Sequence, residues 1–178
     1  MTIKINMGCG KRNFGKNWIH IDKANYPHID HQDIFDFPYE NVGLIYASHI
    51  IEYFDRIEVL TLLKAWKKKL KANGILRLAV PDFQNIAKLY LSEQYLLESF
   101  LGPLYGKMEL NNSTIYHRTV YDFNSLKKLL QELGFNNISK CDHNNVDHGM
   151  FDDYSQAYLP HMDKIKGTLI SLNVECVN

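Results

Sequence analysis

The stretch "INMGCGKRNFGKNWIHID", residues 5–22, decides how the rest of the chain is read. A strand from Ile3 to Met7 meets Gly8 and Gly10, and a second strand from Trp18 ends on Asp22. A glycine turn between strands, with a carboxylate closing the second, is how nucleotide-type cofactors are held in α/β proteins. The turn is short for that purpose. Only seven residues separate Gly10 from Trp18, and Asn13, Gly15 and Asn17 are among them, so no helix of several turns fits.

The missing helix discriminates between cofactors. A dinucleotide rests its pyrophosphate on the positive N-terminus of that helix, and its ribose carboxylate lies about 20 residues further on. Here Asp22 follows Gly8 by 14 positions. S-adenosylmethionine carries no phosphate and asks less of a helix dipole. It needs close backbone approach at the glycines, a carboxylate for the ribose hydroxyls, and donors for its own carboxylate, a role open to Lys11 and Arg12.

Working outward, an extended piece is expected around Ile29 to Ile34, and "VGLIYAS" (42–48) reads as a strand covered on both faces. Ile57, Leu60, Leu63, Trp66 and Leu70 recur at helical spacing over 55–72, with Asn73-Gly74 as a left-handed stop. "ILRLAVP" (75–81) is the next strand, a helix is expected over 83–100, and residues 102–120 read as irregular. Asn124 or Asp122 caps a helix through Leu133, with Gly134 after it. "NISKC" and "GTLISLNVECV" are two final strands. Strands alternating with helices argue a largely parallel α/β sheet, and the closing pair without an intervening helix argues an antiparallel pairing at one edge. A length of 178 residues without repeats or linkers predicts one domain.

Lys+Arg and Asp+Glu both count 20, so the chain has no basic surplus of the kind nucleic-acid binding needs. The lysines at 64, 67, 68, 69 and 71 read instead as a solvated face at a helix C-terminus. Three cysteines without a C-x-x-C pair fit neither a disulfide framework nor structural zinc. A strand starting at once leaves no leader, and no apolar run approaches the ~20 residues that span a bilayer. A cytosolic protein is expected.

Ligands in open α/β sheets bind beyond the carboxyl ends of the strands. The residues there are Gly8-Cys9-Gly10, Asp22, Asp33, Ser48-His49 and Asp82. Cys9 reads as the small residue that fits between two glycines. His49 and Glu52 have the spacing of a metal pair, but no third ligand stands at diagnostic spacing, so no metal is expected.

The whole pattern resembles class I S-adenosylmethionine-dependent methyltransferases, in a compact branch with "N-x-G-C-G…W-x-x-x-D". Further matches are "YASHIIEYF" (46–54), "LKANGILRLAVPDF" (70–83), "HRTVYDFNSLKKLLQELGF" (117–135) and "DDYSQAYLPHMDK…GTLISLNVE" (152–175). The resemblance implies a reduced Rossmann-like α/β fold, with a mostly parallel sheet, helices on its faces and an antiparallel edge strand. It also implies cofactor roles. Asn6, Gly8, Cys9 and Gly10 would border the methionine part, Asp22 would take the ribose hydroxyls, Asp33 and Ile34 would meet the adenine, and Ser48 would border the cofactor. Asn6 stands where many such enzymes carry an acidic residue. The covering N-terminal helices are absent, so a lid is expected from 102–118 or 143–162.

A general base is needed only if the acceptor must lose a proton, and His49 is the first candidate, followed by His117 and Asp82. Arg118 is a candidate grip for an anionic substrate or an anchor for its loop. The expected activity is methyl transfer to an oxygen or nitrogen of a small or glycan-like acceptor. The alternative is a non-catalytic binding or assembly module that keeps the fold. No motif reports the oligomeric state, and a homo-oligomer is compatible with the sequence.

Overall fold

The computed structural model describes residues 2–110, 112–161 and 163–178. The chain enters through β1 (Lys4–Met7), β2 (Ile19–Ile21) and β3 (Val42–Ser48), then α1 (Glu58–Lys69) and β4 (Leu70–Pro81). Helices α2 (Phe83–Leu91) and α3 (Glu98–Tyr105) follow, then a hairpin of β5 (Met108–Leu110) and β6 (Ser113–Ile115). After α4 (Phe123–Glu132) come β7 (Asn136–Lys140), the short pair β8 (Tyr158–Leu159) and β9 (Thr168–Leu169), and β10 (Ser171–Val177).

Six strands form one sheet in the order β2-β1-β3-β4-β10-β7. The first four are mutually parallel, while β10 runs antiparallel to both β4 and β7. The expected antiparallel edge pairing is therefore β10 with β7, and the reversed strand itself lies one place in from the edge. Chain order reverses at β1, which has β2 on one side and β3 on the other. This switch point opens the crevice in which a doubly wound sheet binds its ligand.

The two faces are covered differently. On one, Ile5, Met7, Ile45, Leu76 and Leu78 pack against Leu62, Leu63 and Trp66 of α1 and Leu126 and Leu130 of α4. The alternate residues Leu44 and Tyr46 face Phe14, Trp18 and Phe151. Period-2 alternation of the strand puts these on the opposite face. There the irregular segment 142–157 stands in for the helix missing after β1. Phe151 stacks on Phe14 at 4.5 Å, and the buried Tyr46 hydroxyl donates to Asp153 at 2.6 Å.

Three local expectations change. Helix α1 runs straight into extended Leu70. Asn73 is left-handed (φ 59), but it lies within β4, where the register with β3 shifts. Gly74 lets β4 approach β3, since a Cβ there would lie 2.9 Å from the Val42 carbonyl oxygen. The helix expected over 83–100 is two helices, broken by Glu93 at φ 58. No strand forms over 29–34, and only a single bridge joins His31 to Ile21. Among the described residues no helix is long and apolar enough to cross a membrane.

Candidate functional site

Gly8 and Gly10 both take positive φ, 64° and 54°, which glycine adopts without a Cβ penalty. Gly8 also needs the space, because a Cβ would fall 2.1 Å from Cδ1 of Ile50. The turn is tied to the end of β2. Gly8 N–H donates to the Ile21 carbonyl at 2.6 Å, and Gly10 N–H donates to Asp22 Oδ2 at 2.7 Å. Asp22 Oδ1 accepts from Ala24 N–H at 2.7 Å. The carboxylate is thus fixed at the switch point by two backbone donors, with its remaining lone pairs free for a ligand.

Asp22 lies on the wall of a cavity of about 480 Å³. Gly8, Ile34 and Ile50 form its floor with Asp22, and Tyr53 and Phe54 come from the 3-10 turn after β3. The β5–β6 hairpin closes the outer side through Met108, Leu110, Thr114 and Ile115. Lys23 and Arg118 supply the cationic margin, and Arg118 is itself paired with Asp55 and Glu58. This volume and apolar character suit a small organic ligand rather than a polymer.

Of the residues picked from sequence, Gly8, Asp22 and Ile34 meet on this cavity. The others stand as follows. Asn6 is buried on β1, its amide 3.5 Å from the Arg12 carbonyl oxygen. Cys9 is buried, and burial with the Asp22 charge pushes its thiol up to about 12, consistent with packing rather than thiolate chemistry. Ser48 Oγ is buried with no hydrogen-bond partner. Asp33 is exposed and folds its carboxylate onto the N–H groups of Phe35 and Asp36, which keeps it off the cavity wall. Asp82 caps α2, accepting from Gln84 and Asn85 N–H. Its carboxylate is occupied by the orphan donors of a helix start.

His49 follows β3 in a left-handed conformation (φ 54), a strained setting for a non-glycine residue. Its ring reaches Ser171 Oγ at 3.2 Å on one side and Glu52 Oε1 at 3.3 Å on the other. Burial, with the nearby His117 and Arg12 charges, holds it down at about 3, so it is neutral. His117 lies 3.8 Å from the same Glu52 oxygen, and burial lowers it too. The i,i+3 spacing thus brings His49 and Glu52 together, with His117 added from far along the chain. Among the described residues no group of three His, Cys, Asp or Glu is suited to a metal ion.

Two parts of the site escape sequence reading. Tyr53 and Phe54 belong to "YASHIIEYF", where nothing in the pattern marks them as ligand contacts, yet they line the cavity. The hairpin lies in the segment read as irregular. Its sequence signal is "MELNNSTI" (108–115), two short alternating runs separated by polar asparagines. Asn111 lies outside the described residues.

No family model matches the chain, and no curated protein matches it by sequence. Solved structures match nearly all of it. Human N-acetylserotonin methyltransferase in complex with SAM aligns over 99% of this chain and 47% of its own, at TM-score 0.57 and 12% identity. A SAM-dependent methyltransferase from Archaeoglobus fulgidus aligns over 99% and 86%, at 0.57 and 15%. Burkholderia thailandensis 1,6-didemethyltoxoflavin-N1-methyltransferase, with bound 1,6-didemethyltoxoflavin and S-adenosylhomocysteine, aligns over 99% and 70%, at 0.56 and 11%. The fold is that of S-adenosylmethionine-dependent methyltransferases. This chain spans about half the length of the human enzyme. Its fold is a reduced one, with no helix between β1 and β2 and an irregular segment covering the sheet face left bare there.

Proposed function

We propose that the protein binds S-adenosylmethionine in the cavity at the switch point and transfers a methyl group to an oxygen or nitrogen of a small or glycan-like acceptor. The observation that carries this is the Asp22 carboxylate, fixed by Gly10 N–H at 2.7 Å on the wall of an apolar cavity of about 480 Å³. The donor set fits the cofactor. Asp22 takes the ribose hydroxyls, Ile34 packs on the adenine, and Asn6 with the Gly8-Cys9-Gly10 backbone borders the methionine part. Ser48 Oγ, buried and unpartnered, borders the cofactor.

When bound, the cofactor supplies a methyl group already activated on a sulfonium. The protein's contribution is to hold the acceptor in line and exclude water, and correct positioning alone lowers such a barrier substantially. His49 is the residue assigned to take a proton where the acceptor carries one, through the ring nitrogen now turned to Ser171. His117 and Asp82, engaged with a backbone carbonyl and a helix start, rank behind it.

One observation favours the second reading, a binding module that keeps the fold. Among the described residues lining the cavity none is a histidine, and Asp22 is the only carboxylate. S-adenosylhomocysteine titration tests the cofactor claim, and release of S-adenosylhomocysteine from S-adenosylmethionine with candidate acceptors separates enzyme from module. Tight binding without turnover on hydroxyl- or amine-bearing acceptors selects the module.

A further inference from the structure

Glu52 is wholly shut off from solvent, and neither of its carboxyl oxygens has a hydrogen-bond partner. Two imidazoles face one of those oxygens, His49 Nδ1 at 3.3 Å and His117 Nε2 at 3.8 Å. The His117 tautomer is fixed by its other nitrogen. Nδ1 lies 3.2 Å from the Pro103 carbonyl oxygen, which only accepts, so Nδ1 carries the hydrogen. A neutral His117 therefore presents a lone pair to Glu52. Toward His117 an ionised carboxylate would set acceptor against acceptor in a dry site, whereas a protonated carboxyl supplies the donor that Nε2 lacks.

The surrounding groups do not compensate a charge there. Tyr53 comes from the same 3-10 turn, and its hydroxyl donates to Gly106 O at 2.7 Å. Tyr121, from the segment after the hairpin, has a buried hydroxyl without a partner. Arg118 points to the surface pair Asp55 and Glu58, and Arg56 ahead of α1 is exposed. Beyond His49 lie Tyr154 and Arg12, and Arg12 Nε donates to the Asp152 carbonyl. Burial pushes the Glu52 carboxyl up to about 8, against a smaller opposing effect of its own backbone N–H.

The same cluster seats both ends of the hairpin. Gly106, at its start, is left-handed, and a Cβ there would fall 1.9 Å from His117 Nε2. His117, at its end, donates its N–H to the Tyr105 carbonyl at 2.8 Å. Between these two points lie Met108, Leu110, Ile115 and Tyr116, part of the cavity's outer wall.

We propose that Glu52 keeps its proton through the neutral range and is a positioning residue, seating His117 and with it the hairpin that closes the cavity. Ionisation sets a buried charge against the His117 lone pair, with no cation among the described residues paired to it, which loosens the hinge and opens the outer wall. The inference concerns the hinge, and rests on the cofactor reading only for what the cavity holds.

Infrared difference spectroscopy on the full chain tests it, with glutamate isotopically labelled to mark the band. The expected result is a protonated-acid carbonyl band near neutral pH that disappears above about pH 8 and is missing in Glu52→Gln. As pH rises from neutral to about 8, hydrogen exchange of amides 107–116, corrected for its intrinsic pH dependence, should accelerate about tenfold per pH unit in the wild type and then level off, and stay flat in Glu52→Gln. Absence of the band from the labelled wild type near neutral pH overturns the proposal, whether or not Glu52→Gln folds. So does a hairpin whose corrected exchange ignores pH. Failure of S-adenosylhomocysteine to bind, with band and exchange as expected, overturns the cofactor reading and leaves the hinge standing.

Discussion

The backbone N–H of Gly10 donates to the carboxylate of Asp22 across 2.7 Å, so the glycine turn and the end of β2 hold one another. One side chain thereby shapes the turn and faces the cavity. Asp22→Ala removes the acceptor for both Gly10 and Ala24 N–H, at a cost of about 1–3 kcal/mol. It should also weaken S-adenosylhomocysteine at least ~10-fold, equivalent to about 1.4 kcal/mol. Calorimetric titration and thermal unfolding of the variant measure the two effects separately, and unchanged affinity would remove Asp22 from the site.

Gly8 has no room for a side chain. In Gly8→Ala the new Cβ meets Ile50 at 2.1 Å and the backbone stays left-handed. Steric overlap and positive φ each cost about 1–3 kcal/mol. Adding Ile50→Ala should relieve the first and leave the second. A double variant no more stable than the single, in denaturant unfolding, would show that Ile50 is not what Gly8 makes room for.

The pH dependence of stability has a defined shape. Burial holds His49 at about 3 and His148 at about 4, both below an ordinary 6.5. Their contributions are complete above pH 6.5 and are lost as pH falls through these values. Glu52 is raised from 4.5 to about 8, so its contribution is complete below pH 4.5 and is lost as pH rises through 8. Between 4.5 and 6.5 the two histidines outweigh the one carboxyl, and from 6.5 to 8 Glu52 acts alone. Maximum stability is expected near pH 6.5. Glu52→Gln should flatten the limb above it, and denaturant midpoints from pH 4 to 9 would show an unaltered limb if another group is responsible.

Tyr46→Phe should detach the segment over the second sheet face. The hydroxyl donates to Asp153 at 2.6 Å inside the fold, and its loss leaves that carboxylate without a donor it now has. A cost of about 1–3 kcal/mol is expected. Faster hydrogen exchange across 142–157, with the β3 amides unchanged, is the matching signature.

The sequence carried the frame of this molecule more clearly than its furniture. The covered run of β3 and the glycine turn ahead of Asp22 stand where their local patterns put them. The helical spacing found α1 but not its whole buried face, since Ile57 is 78% exposed and Val59 and Leu62 are buried beside Leu63 and Trp66. Asp22 reaches the cavity because it closes β2, and Ile34 because the irregular segment after the His31–Ile21 bridge runs beside that strand end. Asp33 does not, because its carboxylate finds backbone donors two and three residues on, a competition that spacing does not reveal. Asp82 was legible as a residue after a strand but not as the cap of the helix that follows. The meeting of Glu52 with His117 depends on a contact 65 positions apart, and no local pattern records it.

The most direct test is calorimetric titration of the purified protein with S-adenosylhomocysteine, with NAD as the parallel ligand. The Asp22 cavity predicts saturable one-to-one binding of S-adenosylhomocysteine, weakened in Asp22→Ala, and none of NAD, for which the chain has no helix N-terminus after β1. No heat of binding up to about millimolar S-adenosylhomocysteine, a free energy near −4 kcal/mol, would contradict it.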